Sequence, residues 1–239
     1  MTLGRPSRRA FLAGSALALG GGAYYLTRSG GDEAPDVSPD LHPSDATSEL
    51  GVELAGKPIV GSPEAPIEIY YWTDFQCPYC EWFEREALPH LVSDHVESGR
   101  VRIVFIILGY FGEDSVNSSV AARCVWDQVR DSEPSAYWDW HEAVFAEQGD
   151  RNSGWAAIDN LTETTRSVPS VNADDLETCV DDRRSSFEDE IDADTERAES
   201  LQITEVPSFI IFNPESGADQ RLTGAQPSQR FTDVIDSLE

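Results

Sequence analysis

The stretch IEIYYWTDFQCPYC, residues 67–80, decides the fold predicted for this chain. Its first six residues are rich in β-branched and aromatic side chains, which is typical of a strand. From Pro78 onward, apolar residues recur at helical spacing, which predicts a helix that begins directly after the strand. A Cys-x-x-Cys pair, formed by Cys77 and Cys80, therefore lies at the junction of a strand and a helix.

The position of Cys77 at the start of that helix has a chemical consequence. Unpaired backbone N–H groups and the helix dipole favour negative charge there, so the thiolate of Cys77 is stabilised and its pKa is lowered. Pro78 suits the first helical turn, because its missing N–H is not needed there. Cys80 lies one turn further in, within reach of a mixed disulfide at Cys77. We therefore predict Cys77 as the nucleophile and Cys80 as the resolving thiol.

Two other roles for the pair stay open at the level of sequence, a structural disulfide and half of a zinc site. A four-cysteine zinc site normally needs a second close pair, and the remaining cysteines are far apart in sequence. His90, His95 and His141 show no ligand spacing, and we expect a surface or capping role for His90 and His95. We expect a redox pair, with no metal site and no organic cofactor.

Residues 1–28 have the features of an export segment. The sequence SRRAFL, residues 7–12, resembles the twin-arginine export signal and precedes an uncharged apolar stretch. Whether the segment is cleaved stays open, because an uncleaved N-terminal membrane anchor is the alternative. We expect the protein on the extracellular side of the cell membrane, anchored or secreted, where disulfides persist.

The chain is strongly acidic, with 44 Asp and Glu, 17 Lys and Arg, and a net charge of −27. Lys57 is its only lysine. Such a surface repels nucleic-acid phosphates and anionic membranes, so we expect no nucleic-acid partner. Abundant acids with scarce lysine resemble the composition of haloarchaeal proteins, in which high salt screens the self-repulsion.

The rest of the chain divides into a linker and one domain. Residues 29–51 contain glycines, prolines and acids with few apolar residues, which predicts an acidic disordered linker. Residues 52–239 form the domain, which begins with a short edge strand at residues 52–60. Residues 101–108 are almost continuously apolar, which predicts a central strand buried on both faces. Pro89 should kink the intervening helix.

Helical spacing dominates the region from about residue 115 to 201 and predicts an inserted helical domain. Two strands, residues 208–212 and 220–223, and a closing helix, residues 226–238, follow it. The order βαβ, helices, ββα predicts the α/β class and a thioredoxin fold, a central mixed sheet with flanking helices, with a helical domain inserted in its middle.

Three blocks of sequence resemble the DsbA-like branch of the thioredoxin superfamily. They are GSPEAP at residues 61–66 with DFQCPYC at 74–80, AARC at 121–124 through WDWHEAVF at 138–145, and ITEVPSF at 203–209. The likeness covers residues 52–239. It implies a protein thiol–disulfide oxidoreductase that acts on substrate proteins with thiols or disulfides and exchanges electrons with a membrane redox partner.

The resemblance also assigns residues around the Cys-x-x-Cys pair. It implies that Pro207 is cis and faces Cys77 and Cys80, and that Val206 offers backbone groups to an extended substrate peptide. Tyr79 stands where strongly oxidising members often have His, so the direction of electron flow stays open. A disulfide reductase or isomerase, or a non-enzymatic peptide-binding protein with a structural Cys pair, are the alternatives.

Cys124 and Cys179 both fall in the predicted insertion, among apolar neighbours. Two buried free thiols are one possibility, since cysteine packs as a small apolar residue. A structural disulfide is the other, because some members of the resembled family carry a second bridge in this domain and the exported setting favours oxidation.

The export signal gives a first test. Replacing Arg8 and Arg9 with Lys should leave the precursor inside the cell, because the twin-arginine pathway recognises the guanidinium pair rather than the charge alone. Cell fractionation and immunoblotting measure this, with Arg5→Lys as the matched control that preserves export. Normal export of the Arg8→Lys/Arg9→Lys protein would contradict the assignment.

Overall fold

The computed structural model describes residues 34–239, and the predicted signal or anchor, residues 1–28, lies outside the described residues. The described strands form one six-stranded mixed sheet in the order β1-β2-β4-β3-β5-β6. Their bounds are β1 Leu41–His42, β2 Ile59–Val60, β3 Ile67–Thr73, β4 Val101–Ile107, β5 Ser208–Asn213 and β6 Ala218–Thr223.

Strand β3 lies at the centre of the sheet, and all seven of its residues are buried. It pairs in parallel with β4, from Ile67 opposite Val101 onward, and antiparallel with β5 on its other side. Because side chains alternate across a strand, Tyr71 and Thr73 face one side of the sheet while Tyr70 and Trp72 face the other. The predicted central strands are confirmed.

The helix after β3 is broken where the sequence predicted a kink. Helix α1, Pro78–Glu86, ends one turn before Pro89, and α2, Leu88–Leu91, begins with Pro89 in its first turn. A π-helical turn, Val92–Val96, follows. Proline lacks the N–H that would continue the α1 hydrogen-bond ladder, so the chain restarts as a new helix.

Four helices stand between β4 and β5, where the insertion was predicted, and a fifth closes the chain. They are α3 Glu113–Val129, α4 Ala136–Ala146, α5 Ile158–Arg166, α6 Ala173–Ser200 and the closing α7 Ser228–Leu238. The Asn172 side chain caps α6 by accepting the N–H groups of Asp174 and Asp175. None of the helices in the described part of the chain is long and apolar enough to cross a membrane.

The prediction of a disordered linker up to residue 51 is wrong for its described part. Leu41 and His42 form β1 and pair with β2, and the side chains of Val37 and Leu41 are buried in the core. The strand predicted at residues 52–60 is only Ile59–Val60, and its predicted edge position is wrong, because it pairs with β1 on one side and with β4 on the other. Pairing with β2 satisfies the backbone hydrogen-bonding groups of β1. The two buried side chains, Val37 and Leu41, then hold the segment against the domain despite its polar composition.

Helices α3 and α6 are joined covalently and by buried charges. Cys124 of α3 and Cys179 of α6 form a disulfide, which is the bridge that the sequence left open. Nearby, the Asp194 carboxylate of α6 lies 2.8 Å from Lys57 and 2.8 Å from Arg123. Because all three charged side chains are almost fully buried, each one needs its partners to stay in the core.

Removing the bridge should destabilise the domain without unfolding it. The Cys124→Ala/Cys179→Ala protein should lose about 4 kcal/mol of unfolding free energy, because the bridge closes a loop of 55 residues in the unfolded chain. Guanidinium denaturation measures this loss, and the single Cys124→Ala variant should show the same effect because it lacks the same bridge. A loss below about 1 kcal/mol in both proteins would contradict the chain-entropy account.

Candidate active site

Cys77 precedes α1 and Cys80 lies in its first turn, as the sequence predicted. Cys77 is the N-cap residue of α1, and its Sγ accepts the backbone N–H of Cys80 at 3.3 Å. The Cys77 N–H in turn donates to the carbonyl of Asp74 at 3.0 Å, which closes the turn between β3 and α1. Both cysteines are free thiols and both are buried.

The two thiols have opposite acidities. The hydrogen bond with the Cys80 thiol lowers the pKa of Cys77, and the N–H groups of Cys80 and Tyr79 lower it further, against its own burial and the charge of Asp74. Burial raises the pKa of Cys80 well above the ordinary value, and the neighbouring Cys77 sulfur raises it further. The helix start therefore holds one activated thiol and, one turn deeper, one protonated thiol.

The segment before β5 completes the surroundings of Cys77. The Val206–Pro207 peptide bond is cis, as the resemblance implied. The Cys77 thiol lies 3.4 Å from the carbonyl oxygen of Val206 and donates to it. Val206 thus contacts Cys77 across a separation of 129 residues. Tyr79 points outward and is 67% exposed, the one large hydrophobic side chain exposed among the described residues.

The buried carboxylate of Asp74 holds the turn between β3 and α1 through hydrogen bonds. One oxygen of Asp74 accepts the Gln76 N–H at 2.8 Å and the Ser115 hydroxyl at 2.7 Å, and the other accepts the Tyr110 N–H at 2.8 Å. Burial raises the pKa of Asp74 to about 6, although these hydrogen bonds oppose the shift. The sequence did not predict a role for Asp74, because nothing in the neighbouring residues indicates that this carboxylate is buried.

The loop between α4 and α5 clamps the active-site turn from the side of the inserted helices. The Gln148 amide donates to the carbonyls of Phe75 at 2.5 Å and Cys77 at 3.3 Å. Gln76 and Asn152 exchange two hydrogen bonds, one from the Asn152 N–H at 2.6 Å and one to its side-chain oxygen at 3.2 Å. No sequence pattern marks these contacts, since they join residues more than seventy positions apart.

Two of the histidines that the sequence offered, His95 and His141, are buried and have partners other than the two thiols. His95 is buried and hydrogen bonds with the Thr232 hydroxyl at 2.9 Å, so the surface or capping role expected for it is wrong. His141 is buried in the core, with its Nε2 3.1 Å from the Glu84 carboxylate. Within residues 34–239, no three His, Cys, Asp or Glu side chains are arranged to hold a metal ion.

The sequence has recognisable relatives. A family model described as thioredoxin matches residues 53–236. The disulfide bond formation protein D of Bacillus subtilis (strain 168) is 23% identical over 158 residues, which are 66% of this chain and 68% of that protein. The probable disulfide bond formation protein D of Bacillus cereus is 24% identical over 153 residues, which are 64% of this chain and 68% of that protein.

Solved structures share the fold. BdbD from Bacillus subtilis in its oxidised form has a TM-score of 0.65 at 22% identity, over 76% of this chain and 92% of that one. DsbA from Chlamydia trachomatis has a TM-score of 0.62 at 20% identity, over 75% and 90%. Alpha-DsbA1 from Wolbachia pipientis has a TM-score of 0.61 at 23% identity, over 81% and 96%. This chain therefore shares its fold with all three structures.

The opposite acidities predict selective alkylation. Iodoacetamide should modify Cys77 of the reduced protein first and leave Cys80 unmodified, because only a thiolate reacts. The rate should fall as the pH is lowered through the pKa of Cys77, and the midpoint should lie below that of an ordinary thiol. Peptide mass mapping at a series of pH values measures this, and Cys77→Ala should abolish the fast reaction. Preferential labelling of Cys80 would overturn the assignment.

Proposed function

The chain belongs to the thioredoxin family, and we propose that it is an exported thiol–disulfide oxidoreductase that forms or exchanges disulfides in extracytoplasmic proteins. The observation that carries this proposal is the pair of unlike thiols at the start of α1, Cys77 with a lowered pKa and Cys80 with a raised pKa. The names of the two Bacillus relatives, both disulfide bond formation proteins, support the same activity.

The proposed cycle uses the two thiols in sequence. A substrate thiolate attacks Cys77 Sγ of the Cys77–Cys80 disulfide, a substrate–Cys77 bond forms, and Cys80 leaves as the buried thiolate. A second substrate thiolate attacks the substrate sulfur of this mixed disulfide, which releases Cys77 and leaves a disulfide in the substrate. The enzyme is left with two thiols, having accepted two electrons. A partner disulfide must then reoxidise it, and we place that partner in the membrane.

Contacts around Cys77 support binding of an extended peptide. The Val206 carbonyl faces the Cys77 sulfur at 3.4 Å, beside the cis peptide bond to Pro207. We propose that a substrate strand lies along Val206, because backbone pairing there presents a substrate cysteine to Cys77 without demanding a particular sequence. Tyr79, exposed beside the pair, adds an apolar contact at the rim of this site.

The acidity of Cys77 supports the oxidising direction. A hydrogen-bonded thiolate stabilises the reduced enzyme relative to its disulfide, which makes the disulfide a stronger oxidant. The lowered pKa of Cys77 therefore favours disulfide formation in substrates over the reductase or isomerase alternative. The buried Asp74 acts against this effect, because its charge raises the pKa of Cys77.

The proposed setting is the extracytoplasmic side of the cell in a salt-rich habitat. The twin-arginine pattern at residues 7–12 supports export, and the net charge of −27 supports function under conditions that screen self-repulsion. The disulfide between Cys124 and Cys179 fits an oxidising compartment. The N-terminal segment serves there as a cleaved signal or as an anchor.

Trapping of mixed disulfides tests the proposed function. Cys80→Ser removes the resolving thiol, so covalent complexes between Cys77 and exported proteins should accumulate. Cys77→Ser is the matched control and should form none. Non-reducing electrophoresis of cells expressing each variant shows the complexes, and oxidation of a dithiol peptide by the purified protein shows turnover. Oxidation by the Cys77→Ser protein at the wild-type rate would overturn the proposal, as would a wild-type Cys pair that a dithiol peptide does not reduce.

A further inference from the structure

The loop between α4 and α5 carries an exposed arginine, Arg151, beside the active-site turn. Arg151 lies between Gln148 and Asn152, which both hydrogen bond to that turn. The Gln148 amide donates to the Cys77 carbonyl at 3.3 Å, and the Asn152 N–H donates to the Gln76 side-chain oxygen at 2.6 Å. Because the loop is bonded to the turn on both sides of Arg151, the backbone of this residue is fixed relative to Cys77.

The guanidinium of Arg151 is held over an aromatic ring. Its central carbon lies 3.7 Å from the centroid of the Phe111 ring, which is half-buried in the loop between β4 and α3. Phe111 is itself fixed, because its N–H donates to the Ser115 hydroxyl at 3.2 Å and its carbonyl accepts the Asn152 side-chain amide at 2.5 Å. A cation over the face of an aromatic ring is attracted to it, so the guanidinium is oriented before any ligand arrives.

Arg151 lacks the ionic partner that most cations of the described chain have. Ten Lys and Arg side chains of residues 34–239 form ion pairs with Asp or Glu, and Arg151 is not among them. The buried carboxylate of Asp74 is hydrogen bonded to neutral donors instead. In a chain with 44 acidic and 17 basic residues, an exposed cation without an acidic partner is unusual. A carboxylate from another molecule would complement it.

Tyr110 connects the surface around Arg151 to the segment that carries the cis peptide bond. Its hydroxyl donates to the carbonyl of Ile203 at 3.4 Å, three residues before Val206. Tyr110 also adjoins Phe111, the residue on which the guanidinium lies. The rim of the active site therefore runs from Val206 through Tyr110 and Phe111 to Arg151. A substrate strand that lies along Val206 has this rim beside it.

A single side chain bridges the gap between the backbones that carry Cys77 and Arg151. Gln76, next to Cys77, reaches the N–H of Asn152, next to Arg151. About three residues of an extended peptide cover such a gap. We propose that Arg151, seated on Phe111, binds an Asp or Glu side chain of the substrate protein about three residues from the cysteine that attacks Cys77. This inference rests on the proposed oxidoreductase function and names the class of substrate segment that the site prefers, one that is acidic near its cysteine.

A guanidinium suits this task better than an ammonium group. Its planar fork donates two parallel hydrogen bonds to a carboxylate, and its face stays stacked on an aromatic ring while it does so. A hydrogen-bonded contact of this kind lies within the screening length of about 3 Å at 1 M salt, whereas attraction over longer distances is screened. The contact therefore works in the proposed salt-rich setting. Glu205, exposed next to Val206, repels a second carboxylate at the other end of the rim, so the preference should depend on the position of the acid.

Attack of a peptide on a labelled Cys77 measures this preference. In the Cys80→Ser protein, Cys77 is first converted into a mixed disulfide with 2-thiopyridine, a neutral reporter that does not compete for a cation. A peptide thiolate then attacks Cys77 Sγ, a peptide–Cys77 bond forms, and the electron pair of the broken bond leaves with the thiopyridine, whose absorbance is recorded. The peptides carry one cysteine and are identical except for a single glutamine replaced by glutamate, at successive positions on either side of the cysteine.

The carboxylate contact predicts a preference that depends on Arg151. Glutamate about three residues from the peptide cysteine, on one side only, should raise the second-order rate constant roughly twofold to fivefold over glutamine, the scale of a solvent-exposed ion pair. Arg151→Gln should abolish the preference. Arg151→Lys keeps the charge without the planar fork and should lose most of the preference in 1 M KCl. Arg166→Gln, the matched control, removes an exposed arginine that pairs with Glu163 and should keep the preference.

The rival role for Arg151 is an effect on the charges of the turn. Burial raises the pKa of Asp74 to about 6, and the charge of Arg151 acts against this shift. If Arg151 served the reaction in this way, Arg151→Gln would change the rate constants of the glutamate and glutamine peptides by the same factor, and that result would overturn the carboxylate contact.

Two further results would overturn the contact and leave the proposed function standing. One is an equal rate constant for every glutamate and glutamine peptide when Arg151 is present. The other is a preference that persists in Arg151→Gln with native circular dichroism, or that Arg151→Lys retains in full and 1 M KCl removes, since both indicate attraction by the protein as a whole. A wild-type Cys77–Cys80 disulfide that no dithiol peptide reduces would refute the oxidoreductase function itself and, with it, the inference.

Discussion

The hydrogen bond from the Cys80 N–H to the Cys77 sulfur is the contact on which the site depends. It can form only if Cys77 caps α1, and Cys77 caps α1 only because β3 ends at Thr73 and the chain turns at Asp74. The same geometry places Cys80 one turn deeper, inside the core. A single helix start therefore gives two chemically identical side chains different environments, with negative charge favoured at one sulfur and disfavoured at the other.

The inserted helices are part of this site rather than an attachment to it. The loop after α4 supplies Gln148, which binds two carbonyls of the turn, and Asn152, which binds Gln76. Helix α3 supplies Ser115 to the Asp74 carboxylate. Two of these contacts pair groups that the turn would otherwise leave without a partner, the Phe75 carbonyl and the Gln76 side-chain oxygen, and a buried unpaired polar group is costly. Helix α3, which the disulfide joins to α6, is thereby hydrogen bonded to the turn that carries the cysteine pair.

The sequence predicted those strands and helices that depend on the residues within each segment. The strand at residues 67–72, the helix after Pro78 and the apolar run at residues 101–108 follow from periodicity and propensity, and the structure has them. The docking of residues 37–42 escaped prediction because backbone pairing with β2, not composition, orders them. The contacts of Asp74 and Gln148 were not predicted either. Their role exists only once residues distant in sequence meet, and each looks ordinary in its own segment.

The chain has 17 Lys and Arg for 44 Asp and Glu, so most of its carboxylates have no basic partner. This imbalance bears on the pKa of Asp74, the buried carboxylate of the site. The buried carboxylates of Glu68 and Asp194 have basic partners, Arg102 for the first and Lys57 and Arg123 for the second. The three hydrogen-bond donors of Asp74 are neutral groups, and burial raises its pKa to about 6. Above that pH its negative charge raises the pKa of Cys77, and below it the protonated carboxyl no longer does so. Protonation of Asp74 therefore removes one of the two influences that oppose the Cys77 thiolate, and the burial of the Cys77 sulfur is the one that remains.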